Sequence, residues 1–166
     1  MYLQPTIIFI RKANNKFLLS IRVGNKGEEI IDCNITVELL KINNKQIRTR
    51  LITLYQKLSL MEKTWYADFE ISTNKKSNTL LNLLKQIVDG EENLLLRFLL
   101  TGIDSRSGTP VTFLKYYKPD KLKFGLNYLH VFNWDKDKFK RSKMNWNNFN
   151  KIEEAPENII NEFKML

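Results

Sequence analysis

Between Ile31 and Leu39 the chain reads Ile-Asp-Cys-Asn-Ile-Thr-Val-Glu-Leu, with an apolar side chain at every odd position and a polar one at every even position. Successive side chains of an extended strand point to opposite faces. This period of two therefore predicts a strand with Ile31, Cys33, Ile35, Val37 and Leu39 inward and Asp32, Asn34, Thr36 and Glu38 wet. A helix would scatter the same residues around its circumference. The alternation recurs where Phe17, Leu19, Ile21 and Val23 interleave with Leu18, Ser20 and Arg22, and where Trp65, Ala67, Phe69 and Ile71 interleave with Tyr66, Asp68 and Glu70. "GNKGEE" separates the first two runs. Its two glycines and its asparagine tolerate positive φ, so the pair is read as a hairpin.

Further strands are expected at residues 6–12, 46–55, 94–103, 110–117 and 127–134. "SNTLLNLLKQIVDG" is the one interior helix signal, with Ser77 or Asn78 to cap its first amides and Gly90 to close its end. Pro156 opens a short C-terminal helix in a tail over 153–166, with Glu157 in its first turn and Lys164 in its last, as the helix dipole prefers. Many short strands and little helix predict an all-β sandwich. At 166 residues, with no internal repeat or low-complexity linker, residues 1–166 are expected to form a single domain.

Charge narrows the partners without choosing one. Lysine and arginine number 27 against 18 acids, a net charge of +9, which favours an anionic neighbour or serves as a solvated surface. The longest apolar run, residues 94–100, is broken by Arg97 and falls far short of the roughly 20 residues a membrane helix needs. There is no leader of signal-peptide type, and a single cysteine, Cys33, rules out an internal disulfide, so a reducing, cytoplasmic location is expected. Without a leader, the glycosylation-type triplet Asn34-Ile35-Thr36 is read as chance.

Catalytic chemistry finds little footing. The one histidine, His130, lies in the apolar stretch "NYLHVFNW", where a hydrogen-bonded structural role is expected. No Cys/His cluster has zinc-binding spacing, and "RVGNKG" and "TGIDSRSG" lack the spacing and lysine of a phosphate loop. Asp104, Ser105 and His130 come without a nucleophile elbow. The acid pairs Glu28-Glu29, Glu91-Glu92 and Glu153-Glu154 fall in expected turns. No enzyme, metal or cofactor is expected. "NWDKDKFKRSKMNW" sets basic residues among Trp134, Phe139 and Trp146, a composition compatible with a nucleic-acid surface. A lysine-tipped hairpin whose aromatics pack back on the sandwich is the preferred reading, and no nucleic acid is expected as a partner.

The order of segments has a further likeness. "LLSIRVGN" followed by "IIDCNITVELL" resembles the first strand pair in the cytoplasmic domain of inward-rectifier potassium channels, where an Arg-Val-Gly-Asn-like turn precedes a strand with an acid at the position of Asp32. "QPTIIFIRKA" is similar to the segment leaving the inner pore helix, and "LMEKTWYADFEIS" to the strand before the family's Ser-Pro-Leu turn. "LLRFLLTGIDSRSGTPVTFLKYYKPDKLKFGLNYLHVF" follows the family's strand, constriction loop and aromatic segment without a gap. "NWNNF" resembles its closing pattern. The likeness spans about residues 4–152. It departs at Phe69, where a histidine is usual, at Asn78-Thr79 in place of the turn proline, at Phe124 in place of a tryptophan, and at Thr101, where some eukaryotic members carry a second acid.

The resemblance implies an immunoglobulin-like (E-set type) β-sandwich of bacterial type, four copies of which form a vestibule below the chain's own transmembrane pore domain. Asp32 would line that passage and attract potassium ions or polyamines. Ser107, Gly108, Thr109 and Pro110 would form the constriction nearest the membrane. Arg11 and Lys12 are the candidate contacts to anionic lipid head groups, although the family's basic lipid cluster has no counterpart in residues 1–4. With no filter sequence and no spanning helix in "MYLQPTIIFI" or beyond, the chain cannot conduct by itself, and its tetramer is expected to be weak in isolation. The alternatives are a free-standing immunoglobulin-like module binding a lipid or protein partner and, less favoured, a basic nucleic-acid binder.

Overall fold

The computed structural model describes residues 8–13, 16–43, 47–71, 79–89, 93–124, 126–129, 131, 134–135, 140–141, 144–149, 151–154 and 158–165. The strands are β1 (Ile8–Ala13), β2 (Lys16–Gly24), β3 (Ile30–Asn43), β4 (Ile47–Met61), β5 (Thr64–Ile71), β6 (Leu94–Asp104), β7 (Pro110–Tyr117), β8 (Leu122–Phe124), β9 (Leu126–Tyr128), β10 (Trp134–Asp135), β11 (Lys140–Arg141) and β12 (Ile152–Glu154). Among the described residues the α-helices are α1 (Thr79–Val88) and α2 (Asn158–Met165), with short 3-10 turns at Pro119–Lys121 and Trp146–Asn148. Two four-stranded sheets, in the orders β5-β2-β1-β8 and β4-β3-β6-β7, make an all-β sandwich. Every pairing within them is antiparallel except β1 with β8.

Alternation explains the core. Leu19, Ile21 and Val23 of β2 and Ala67 and Ile71 of β5 meet Ile35, Val37 and Leu39 of β3 and Phe98 and Leu100 of β6 in one buried cluster. The apolar face of α1 adds Leu80, Leu84 and Ile87, spaced by four and three residues, to the same core. α2 docks through Phe163, whose ring lies edge-on to Phe17 at 5.3 Å. Ser77, Asn78, Gly90, Pro156 and Glu157, the expected caps and flanks of these helices, lie outside the described residues.

The expected hairpin of β2 with β3 does not form. β2 pairs with β1 and β5, and β3 with β4 and β6, so residues 25–29 carry the chain from one sheet to the other. Asn25 explains the crossing. It is buried, its backbone N–H donates to the Lys63 carbonyl at 2.7 Å, and its side-chain oxygen accepts from the Gly27 amide at 2.9 Å. Its side-chain amide also donates to the carbonyls of Glu62, at 3.2 Å, and Glu28. The residues linking β4 to β5 cross the same gap, and Asn25 ties the two crossings together. The glycines and asparagine do turn the chain, but the strands on either side of the turn belong to different sheets.

The outward face of β2 is covered by the later part of the chain. Arg22 is fully buried there, and its guanidinium lies 4.7 Å from the Phe149 ring and 5.8 Å from the Tyr66 ring. It donates to the Leu129 carbonyl at 2.7 Å, the Asn148 carbonyl at 3.2 Å and the Tyr66 hydroxyl at 3.2 Å. Of the hairpin expected over residues 133–146, the described strands β10 and β11 pair antiparallel, with Trp134 opposite Arg141. Trp146 packs on Phe149 at 5.5 Å, as expected of an aromatic folded back on the sandwich. Phe139 lies outside the described residues. Glu153 and Glu154, expected in a turn, instead belong to β12, paired with β9.

Candidate functional site

The polar row of β3 lies on the outer face of the β4-β3-β6-β7 sheet, and pairing register fixes what surrounds it. Residues directly opposite one another share a face. Four rows lead across that face as far as Glu38, beyond which Leu40 lies opposite Arg50 and Ile42 opposite Arg48. Nearest the β6–β7 turn is Leu60–Ile31–Ile103–Pro110, followed by Lys57–Asn34–Thr101–Thr112, then Tyr55–Thr36–Leu99–Leu114, then Thr53–Glu38–Arg97–Tyr116. A wet face was expected, and the first and third rows are largely apolar. Tyr55, Leu114, Leu60 and Ile31 are all among the exposed large side chains.

Ile31 corrects the expected register. Alternation places it inward with Cys33, yet it is exposed, while Ile30 and Cys33 are both buried. The cause is a bulge: between the pairs Ile31–Ile103 and Asn34–Thr101, β3 sets two residues, Asp32 and Cys33, against Gly102 of β6. Asp32 has φ 51°, in the left-handed region, which reverses the in-out parity on either side of it. Gly102 has to be a glycine because a Cβ there would stand 2.5 Å from Ile30 Cγ2 and 3.1 Å from the Ile31 carbonyl oxygen.

Asp32 is exposed beside a recess of about 350 Å3 lined by Asp32, Cys33, Asn34, Lys57, Leu58 and Ser59. Asn34 donates to the Asp32 carbonyl at 3.0 Å and accepts from the Tyr55 hydroxyl at 2.6 Å. Cys33 points inward as expected. Burial pushes its thiol pKa up, and the neighbouring Asp32 charge adds to the rise.

Ser107, Gly108 and Thr109 form the exposed tip of the β6–β7 hairpin, and Pro110 starts β7. Asp104 organises the tip. Its carboxylate accepts from the Ser107 amide at 2.8 Å, the Ser107 hydroxyl at 2.9 Å and the Arg106 amide at 3.1 Å. These bonds, the Ser107 amide first, hold its pKa below the usual aspartate value. Gly108 takes φ 69° and donates its amide to the Asp104 carbonyl at 2.9 Å. The turn leans on residues 25–29 through the Ser105 amide on the Glu29 carbonyl, 2.9 Å, and Arg106 on Glu28, 3.3 Å. Asp32 and this turn thus share one end of the sandwich. Arg11 and Lys12 do not join them: they lie on β1 opposite Leu18 and Phe17, at the far end of β2 from Gly24 and the turn.

Glu38, expected to be wet, is buried. Outward placement was right, but Arg50 from β4 and Arg97 from β6 fold over its carboxylate, Arg50 Nε at 2.9 Å from Oε1 and Arg97 Nη2 on Oε2. Beside them Arg48 stacks over the Tyr116 ring at 4.5 Å. Alternation predicts the face of a residue but not its neighbours on other strands, so this cluster had no local signal.

Among the described residues no three His, Cys, Asp or Glu side chains converge on a metal position, and no helix is long and apolar enough to cross a membrane. His130 lies outside the described residues. No family model matches the chain, and no curated protein matches it.

Proposed function

We propose that the chain is an immunoglobulin-like (E-set type) domain that extends a potassium pore on its cytoplasmic side, four copies surrounding an aqueous passage into which Asp32 projects. The observation that carries this reading is Asp32 itself: an exposed carboxylate held in a left-handed conformation within a strand, one end of a sheet face that is otherwise partly apolar. Backbone strain of this kind costs about 1–3 kcal/mol and persists where the surrounding structure enforces it, often at functional positions. Supporting it are the two-sheet architecture, the ordered likeness of the segments, and the exposed turn of Ser107, Gly108 and Thr109 at the same end as Asp32. The row Leu60–Ile31–Ile103–Pro110 gives neighbouring copies an apolar surface to cover.

Four-fold repetition is what makes the acid useful. A single pair of charges about 4 Å apart in water gains only ~1 kcal/mol and is screened by salt, whereas four converging carboxylates raise the local concentration of polyvalent cations. Membrane helices hold subunits at high effective concentration, so the separate chain associates weakly. Arg11 and Lys12 lie on β1, opposite the end of β2 away from the turn.

Sedimentation at rising concentration, with and without spermine, tests the reading. A monomer–tetramer trend is expected, strengthened by spermine in the parent chain but not in Asp32→Asn. With the chain joined to a potassium pore, Asp32→Asn weakens internal polyamine block and leaves selectivity unchanged. A strictly monomeric chain whose spermine affinity ignores Asp32→Asn overturns it.

A further inference from the structure

The end of the outer sheet face away from Asp32 has a different chemistry. Glu38 is six residues along β3 from Asp32, about 20 Å at ~3.3 Å per residue. Here one carboxylate faces two guanidiniums, those of Arg50 and Arg97, whose side chains are 61% and 29% exposed. Glu38 neutralises only one of them. Arg48, laid on Tyr116, adds a further positive charge. Among the described residues of the rows from Tyr55–Leu114 to Arg48, Glu38 is the only acid. Flanking the cations are Tyr55, 55% exposed, Leu114, 49%, and Tyr116, 39%.

We infer that this patch docks an acidic, apolar segment of a partner protein. Glu38 holds two guanidiniums in place while leaving charge uncompensated, so an incoming carboxylate meets donors that need little further ordering. Tyrosine and arginine are the residue types that anchor protein interfaces, and the rings and Leu114 offer apolar area between the charges. Charge decides the occupant. A second copy would bring its own net charge of +9 against this basic patch, whereas an acidic segment is complementary in sign. The inference is independent of the pore reading, which uses the Asp32 end of the face.

The test uses the whole chain and a fluorescein-labelled peptide of alternating glutamate and leucine, about 12 residues long. Binding followed by anisotropy is expected to weaken steeply with salt and to fall at least about tenfold in Arg48→Ser, Arg50→Ser and Leu114→Ser. Arg50→Lys recovers part of the loss, Lys16→Ser on the other sheet changes nothing, and circular dichroism verifies that each variant is folded. Amide shifts in the complex should centre on Tyr55, Leu99, Leu114 and Tyr116. Polyglutamate of equal length binding as tightly, or shifts centred elsewhere, overturns the inference. So does a phosphatidylglycerol vesicle that binds through these residues while the peptide does not, or self-association through them.

Discussion

Arg22 is the side chain whose loss should be felt most. Replacing it with methionine keeps much of the volume and removes the guanidinium. Two backbone carbonyls, Leu129 and Asn148, then lose the donors that reach them from Arg22, at 2.7 and 3.2 Å. The part-buried Leu129 carbonyl left without this donor costs about 1–3 kcal/mol. The lost bond to Asn148, whose carbonyl still accepts from the Lys151 amide at 3.1 Å, costs about 1 kcal/mol, and the stacking of the cation on Phe149 and Tyr66 is worth about 1 kcal/mol more. Against this, methionine spares the cost of burying a charge, which recovers part of the sum. A net destabilisation of about 3 kcal/mol is expected. For a chain of this length each kcal/mol moves Tm by about 2–4 °C, so Arg22→Met should melt roughly 6–12 °C below the parent. Urea titration gives the free energy directly, and hydrogen exchange locates it: protection should fall first in residues 126–129 and 144–149. A loss under 0.5 kcal/mol, or uniform deprotection of both sheets with no early loss in those residues, refutes the role assigned to Arg22.

Three further outcomes follow from the geometry. Asp32→Gly should stay within about 0.5 kcal/mol of the parent in urea, since relief of the left-handed strain is offset by a freer unfolded chain, whereas Asp32→Val should lose about 2 kcal/mol; equal stabilities would mean the bulge is not held as described. Glu38→Ala should cost about 2 kcal/mol because it leaves Arg97 half-buried without its carboxylate, but Arg50→Ala only about 0.5 kcal/mol because that side chain is mostly exposed, and the reverse order would contradict the cluster. Asp104, whose carboxyl titrates below its ordinary value in the folded chain, contributes order to the turn that is complete above the unfolded aspartate pKa and is lost as pH falls through the folded one. Amide shifts of Arg106 and Ser107 should therefore titrate below pH ~3.9, and Asp104→Asn should abolish that titration.

Local pattern carried most of the elements. β7 occupies the expected residues 110–117, and Cys33, Ile35, Val37 and Leu39 face the core as alternation required. What escaped were features set by partners distant in sequence. Nothing in "IIDCN" announces that Asp32 will turn left-handed, because the extra residue exists only relative to Gly102 on another strand. β4 runs on to Met61, past the expected end at residue 55, since its pairing with β3 continues to Ile30. Glu38 was read as wet from its own strand, while its burial comes from arginines that register alone brings over it. Asp32 and the β6–β7 turn were both legible as polar sites, but their shared end of the sandwich follows from the sheet crossing at Asn25, where a hairpin had been expected.

The parallel pairing of β1 with β8 sets an order of events during synthesis. On the ribosome, β1 can pair with β2 within moments of emerging, since the two are neighbours in the chain. Its other edge waits for Leu122, Lys123 and Phe124, which are made only after the whole β4-β3-β6-β7 sheet. Through that interval the nascent chain shows an open strand edge in the segment "IFI", the kind of template on which unfinished chains pair with one another. Slower elongation before residue 124 would lengthen the exposure, and a chaperone that shields Ile8 to Ile10 would have its effect then and not after β8 has closed the sheet.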